Sequence, residues 1–192
     1  MVRVKKKRII IGISGASGVI YGIRLLETLK QTDIETHLIV SKAAQQTRAF
    51  ECSLSAAELN ELADKSYNIN DIAASISSGS FQTLGMIIAP CSMRTLASIA
   101  SGNTDNLLSR AADVVLKERR RLILMVRETP LHLGHLKNMV AATEMGAIIA
   151  PPVPAFYNNP QSQDDLVNHS VGRILDLFDL DSGLVRRWGE EL

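Results

Sequence analysis

The chain has 192 residues, 46% of them hydrophobic and 21% charged, which is enough for one sizeable core and too little for two full domains. Its 21 Lys and Arg stand against 20 Asp and Glu, a formal charge of +1, so no broad field for nucleic acid or a membrane surface exists and any charge recognition falls to local clusters. Two cysteines, Cys52 and Cys91, supply neither a disulfide framework nor a metal spacing and fit a reducing, cytoplasmic compartment.

The chain opens with Lys5-Lys6-Lys7-Arg8 before Ile9-Ile10-Ile11, a superficial match to a secretory leader. Gly12, Ser14, Gly15, Ser17 and Gly18 interrupt it, so a short buried strand running into a glycine turn is the better reading, with the basic tail solvated. No apolar run reaches the roughly 18 residues of a membrane span. Short apolar runs, each closed by small or turn-forming residues, predict buried parallel strands at 8–13, 36–40, 86–89, 122–126 and 147–150. Helical spacing between them predicts helices at 19–30, 43–50, 56–62, 95–101, 107–119 and 131–145. A stiff proline-rich loop, 151–160, then leads to a last helix at about 162–178, where Asp164-Asp165 suits the N-terminus. The alternation predicts one α/β domain, 1–192, built on a doubly wound parallel sheet.

Ligands of such sheets sit outside the carboxyl ends of the strands, so the residues just after each strand carry the information. Gly12-x-x-Gly15-x-x-Gly18 follows a strand and opens a helix, which lets its amides face a phosphate; the competing reading is tight strand-helix packing alone. The spacing is not that of a dinucleotide fingerprint, and the second strand ends in Val40-Ser41-Lys42 with no acid to grip a ribose, which disfavours NAD. Ser92, Met93, Arg94 and Thr95 stand at another helix start, either as ligand donors or as ordinary caps. Cys91 reads as a small buried thiol, since no histidine lies between Leu38 and Leu131. Arg110, Asp113 and Lys117 share one stripe of their helix, able to hold an anion or simply solvated with Asp113 bridging; Arg173 lies at the edge of the last helix's apolar stripe. His132 and His135 lack an acidic or cysteine partner at ligand spacing, and no Asp-rich cluster for magnesium-bound diphosphate is present in the sequence.

Taken together, Gly12 to Gly18 (GISGASG), Ser41 to Ala44 (SKAA), Pro90 to Leu96 (PCSMRTL), Arg110 to Asp113, Leu116 to Arg120, Arg127 to Leu131 (RETPL) and PPVPAFYNNPQ from Pro151 resemble the UbiX-type flavin prenyltransferases. These were earlier described as phenylacrylic or hydroxybenzoate decarboxylases. The resemblance implies a flavodoxin-like or Rossmann-like domain, assembled as a dodecamer with FMN at subunit junctions. It implies a metal-free reaction in which the dimethylallyl group of dimethylallyl phosphate moves to reduced FMN, first at N5 and then at C6. The prenylated FMN would serve a partner decarboxylase of the UbiD type.

Carried over by motif, Gly15, Ala16, Ser17, Ser41, Ser92, Met93, Arg94, Thr95 and Arg127 are expected to hold FMN. Tyr157, Arg173, Lys117 and Arg110 are expected around the substrate phosphate, with Ser17 reaching it too, and Glu51 and Glu128 to handle protons during ring closure. Two rival readings remain at this stage. One is FMN-dependent decarboxylation, although relatives acting on cysteine substrates use a histidine after the second strand and a Pro-Ala-Ser-Ala-Asn-Thr segment that this chain lacks. The other is a non-catalytic flavin carrier or regulatory subunit.

Overall fold

A computed structural model describes residues 6–187 and 189 of the chain; Lys5 of the basic tail lies outside the described residues. Six strands, β1 (Arg8–Ile13), β2 (Glu35–Val40), β3 (Lys65–Tyr67), β4 (Gly85–Cys91), β5 (Arg121–Val126) and β6 (Ala147–Ile149), form one sheet. Their order is β3-β2-β1-β4-β5-β6, with every neighbouring pair parallel. Parallel neighbours need long crossovers, and the helices supply them: α1 (Val19–Leu29), α2 (Lys42–Glu51), α3 (Ala56–Glu61), α4 (Met93–Ala100), α5 (Leu107–Lys117), α6 (Leu133–Glu144) and α7 (Gln163–Asp176). The fold is the expected doubly wound α/β sheet.

The strands read as unbroken apolar runs because both faces are covered. In β1, Ile9, Ile11 and Ile13 point into a core shared with Leu38, Ile87 and Ile123 and sealed by α1 and α7 through Val19, Ile23, Leu26, Val167, Val171 and Ile174. Ile10 points the other way, with Ile39, Met86, Ile88 and Leu124, into a core sealed by α4 and α5 through Leu96, Ile99, Leu108, Ala111 and Val115. The period of two along each strand thus assigns α1 and α7 to one layer and α4 and α5 to the other.

The predicted elements differ from the observed ones where side chains outside the hydrophobic pattern decide. β3, Lys-Ser-Tyr, is a polar edge strand with no apolar run to announce it. β4 continues through Pro90 to Cys91; a register shift between Ile88 and Cys91 accommodates a proline that a regular inner strand would reject. α6 starts at Leu133 because the His132 imidazole caps it, accepting from the Gly134 and His135 amides. Among its residues only Ala142 is buried, which leaves Leu133, Leu136 and Val140 exposed on one stripe.

Ile87, fully buried in a central strand, carries a direct test of this core. Ile87→Ala should cost about 2–5 kcal/mol. The measurement is a thermal melt of variant and parent at equal protein and flavin concentrations, because ligand and assembly both shift apparent stability.

Candidate active site

The chain order reverses between β1 and β4, and the ends of these two strands are stitched together by Ser14. Its hydroxyl donates to the Pro90 carbonyl at 2.8 Å and accepts from the Ser92 amide at 2.7 Å. Around this point a cleft of about 460 Å³ opens, within the usual range for small-molecule sites. Gly15, Ser41, Lys42, Ser92 to Thr95 and Glu128 line it, so most of the predicted strand-end residues do converge.

Three helices begin at this cleft, each capped by a side chain. Ser41 caps α2, accepting from Ala44 N at 3.0 Å; Ser92 caps α4, accepting from Thr95 N at 3.3 Å; Asn106 caps α5, accepting from Ser109 N at 3.1 Å. Each helix start presents partial positive charge and backbone donors; Lys42 and Arg94 add full positive charges and Asp105 and Glu128 full negative ones, so a place for an anion exists where the helix starts and the two cations meet rather than across the whole cleft. Ile69, Met93 and Leu108 give it an apolar component. Ser92 is therefore a helix cap, one of the two readings the sequence left open, and it also lines the cleft. Gly15 is fixed by close approach: a Cβ there would stand 2.3 Å from the Ala43 Cβ at the start of α2.

The positive end of α1 behaves differently from the expectation. The amides of Gly18 and Val19 are not turned to the cleft as phosphate donors; both donate to the Glu51 carboxylate, at 2.9 Å each to Oε2. The Ser17 hydroxyl and Arg127 both lie close enough to the same carboxylate to act on its charge. Partial burial alone would raise the Glu51 pKa, but the Ser17 hydroxyl, the Val19 and Gly18 amides and Arg127 reverse this, holding it below the usual carboxylate range. Gly18 needs its glycine, with φ 105°, to turn into the helix. Ala16 is held locally, its amide donating to Ser14 O at 2.9 Å, and Arg127 N donates to Cys91 O at 3.0 Å. Cys91 itself is fully buried and burial pushes its thiol far up, as suits a packing residue rather than a nucleophile.

The four residues expected at the substrate phosphate are not gathered within one chain. Arg110 and Lys117 lie on α5, in the layer of the second core; Arg173 lies on α7, across the sheet. Each is partly exposed beside an acid near it in sequence: Arg110 on Asp113 at 2.8 Å within α5, Lys117 on Glu118 at its end, and Arg173 on Asp176 at 2.7 Å at the end of α7. Tyr157 is presented by the loop before α7 and touches His169. Several cleft residues were not singled out from the sequence. The Asn106 cap was open to discovery from helix-start chemistry, whereas Ile69 and Asn70 reach the cleft from an irregular crossover that leaves no periodic signal.

A family model described as Flavoprotein matches residues 2–175. Flavin prenyltransferase UbiX of Escherichia coli (strain K12) is 62% identical over 185 residues, covering 95% of this chain and 98% of that protein. The chain belongs to the UbiX flavin prenyltransferase family. Among solved structures, AnUbiX (PadA1) in complex with FMN and dimethylallyl pyrophosphate matches with a TM-score of 0.96 at 52% identity, over 98% of this chain and 100% of that one. A dodecameric FMN-dependent UbiX-like decarboxylase from Escherichia coli O157:H7 matches with a TM-score of 0.92 at 51% identity, over 94% and 98% of the two chains.

The lowered pKa of Glu51 has a signed consequence for stability. A carboxylate depressed by folding stabilises the folded state above its unfolded pKa, and this contribution is lost as pH falls through the folded pKa. The melting midpoint of the parent should therefore exceed that of Glu51→Gln by a constant margin above about pH 5, and the margin should shrink below about pH 4. Thermal melts of both proteins across that range provide the check.

Proposed function

We propose that this chain is a flavin prenyltransferase, a transferase that moves the dimethylallyl group of dimethylallyl phosphate onto reduced FMN, at N5 and then at C6, without a metal. The observation that carries this reading is the cleft where the starts of α2, α4 and α5 converge beside Lys42 and Arg94, in a chain kin to flavin prenyltransferases over nearly its whole length. The cleft fits FMN in kind: hydroxyls, amides and cations for the ribityl phosphate, and Ile69, Met93 and Leu108 for the ring. Gly15, Ala16, Ser17, Ser41, Ser92, Met93, Arg94, Thr95 and Arg127 are the residues assigned to hold it. Reduced FMN, when bound, supplies the nucleophilic atoms that accept the C5 unit.

The rest of the chemistry belongs to the chain. Breaking the allylic C–O bond leaves a phosphate of growing negative charge, which needs preorganised donors. Tyr157, Arg173, Lys117 and Arg110 are assigned to it, with Ser17. A charge-assisted hydrogen bond contributes about 1.5–3 kcal/mol, so several together stand in for a divalent cation. Among the described residues no group of three or more His, Cys, Asp and Glu is placed to hold a metal ion. Ser17 is assigned a contact to the leaving phosphate, and a carboxylate such as Glu51, ionised by its lowered pKa, or Glu128, in the cleft wall, is assigned as the base for the C6 proton, with the released phosphate as a further acceptor.

Because α5 and α7 lie on opposite faces of the sheet, the phosphate site is complete only if Tyr157 and Arg173 of one copy meet Arg110 and Lys117 of another. We therefore assign a homo-oligomer, a dodecamer as in the matching Escherichia coli O157:H7 structure. The product, prenylated FMN, would pass to a UbiD-type decarboxylase. A cytoplasmic location and a single domain spanning 1–192 complete the assignment; no described helix is long and apolar enough to cross a membrane.

Anaerobic incubation with reduced FMN and dimethylallyl phosphate, followed by mass spectrometry of the released flavin, is the test. A gain of one C5 unit is expected; unmodified flavin with both ligands bound would return the decarboxylase and carrier readings. Alanine at Lys117 or Arg173 should weaken dimethylallyl phosphate binding about 10- to 100-fold and leave FMN affinity unchanged, read by titration of each ligand.

A further inference from the structure

The turn 78–81, on the crossover from β3 to β4, lies against the end of α5. The Phe81 amide donates to the Ser78 carbonyl at 3.1 Å, and the hydroxyls of Ser78 and Ser80, on either side of Gly79, are 2.9 Å apart. The Arg120 guanidinium reaches the turn from just beyond α5, donating to the Gly79 carbonyl at 2.7 Å and to the Phe81 carbonyl at 2.8 Å. The Phe81 ring is held in its turn by Arg8, 4.6 Å from the ring centre, and by His37, nearly perpendicular to it at 5.1 Å. The turn is therefore fixed at two carbonyls and at its last side chain.

The backbone does not demand a glycine at position 79, which is not among the glycines with positive φ. Space demands it instead. A Cβ there would stand 2.1 Å from Glu118 Oε1 and 2.7 Å from Lys117 Nζ, two atoms that are bonded to each other. Arg120 lies 3.9 Å from the other carboxylate oxygen, Oε2, and attracts it from the side of the turn. Lys117 first, and Arg120 more weakly, hold the Glu118 carboxyl below the usual range, so it stays ionised. The gap left by the missing side chain is thus where the Lys117 ammonium rests. About half of the Lys117 side chain stays open to solvent, and an ammonium has three donors, so it can keep Glu118 and still offer hydrogen bonds to a phosphate oxygen.

We propose that Gly79 is a positioning residue for dimethylallyl phosphate: by carrying no side chain it leaves the seat in which Glu118 holds the Lys117 ammonium ready for the substrate phosphate. The inference rests on the assignment of Lys117 to that phosphate. Both atoms that a Cβ would meet are the far ends of flexible side chains, so a larger residue at 79 displaces the pair and leaves the turn and the fold in place.

The test is a double-mutant cycle with Gly79→Ala and Lys117→Ala, in which dimethylallyl phosphate and FMN are titrated separately and KM is measured at saturating reduced FMN. Gly79→Ala is expected to raise Kd and KM for dimethylallyl phosphate about three- to tenfold, part of what one charge-assisted hydrogen bond contributes, with FMN affinity and melting temperature unchanged. In the Lys117→Ala background it should do nothing further. Glu118→Ala removes the holder without altering the turn and should weaken dimethylallyl phosphate in the same sense, which keeps the idea testable if Gly79→Ala fails to assemble. Normal substrate binding in Gly79→Ala, an equal effect with and without Lys117, parallel loss of FMN, or tighter substrate binding in Glu118→Ala would overturn the proposal. Normal substrate binding in Lys117→Ala alone would instead overturn the assignment of Lys117, and the role of Gly79 with it.

Discussion

The site depends on the divergence of the chain between β1 and β4. The crossover that leaves β1 passes to one side of the sheet and the one that leaves β4 to the other, so their strand ends open a crevice that no connection fills. Ser14 keeps that crevice at one width, because its single hydroxyl is shared between Pro90 and Ser92. From this follows the convergence of helix starts: α4 begins one residue past the stitched end of β4, and α2 is drawn in until Ala43 touches Gly15. Any side chain at position 15 would push α2 away and open the cleft. The backbone at position 15 is therefore as much a part of the site as the cations are.

The electrostatic arrangement follows a second rule, that each cation assigned to the substrate is kept in place by a carboxylate near it in sequence. Arg110 has Asp113, Lys117 has Glu118 and Arg173 has Asp176. Exposed pairs of this kind are worth about 0–1 kcal/mol, so giving up a carboxylate for a phosphate dianion costs little. The pairs limit the wandering of long side chains before substrate arrives, which lowers the ordering cost of binding. Glu51 is the converse case. An acid takes the positive end of α1, accepting from the Gly18 and Val19 amides just after Ser17.

Hydrophobic period and helix-start chemistry made the five longer or more apolar strands and all seven helices legible, because both are local properties of the chain. β3 was not legible, since Lys65, Ser66 and Tyr67 carry no apolar run and the strand exists only because the edge of β2 offers it backbone partners. The same limit applied at the site. Ser41 and Ser92 were readable as strand-end hydroxyls, whereas the embrace of Gly18 and Val19 by Glu51 joins residues more than thirty positions apart and reversed the expected use of the glycine turn.

The surface of the chain makes the last step. Leu133, Leu136 and Val140 form an exposed apolar stripe on α6, and Phe50, Val153 and Phe156 stand 92%, 71% and 72% exposed close in sequence to Glu51 and Tyr157. An exposed apolar stripe such as that on α6 suits contact with another protein surface. Its proximity to site residues matters more than its extent: Phe50 adjoins the carboxylate that organises Ser17, and Phe156 adjoins the phenol assigned to the phosphate. Burying these side chains against another copy would exclude water where the allylic bond breaks and would strengthen every charge interaction there. On this view assembly and catalysis are one requirement. On the proposed assignment, opposite layers of the sheet would serve a single phosphate through a neighbouring copy, and exposed rings such as Phe50 and Phe156 would give that copy a hydrophobic reason to come close.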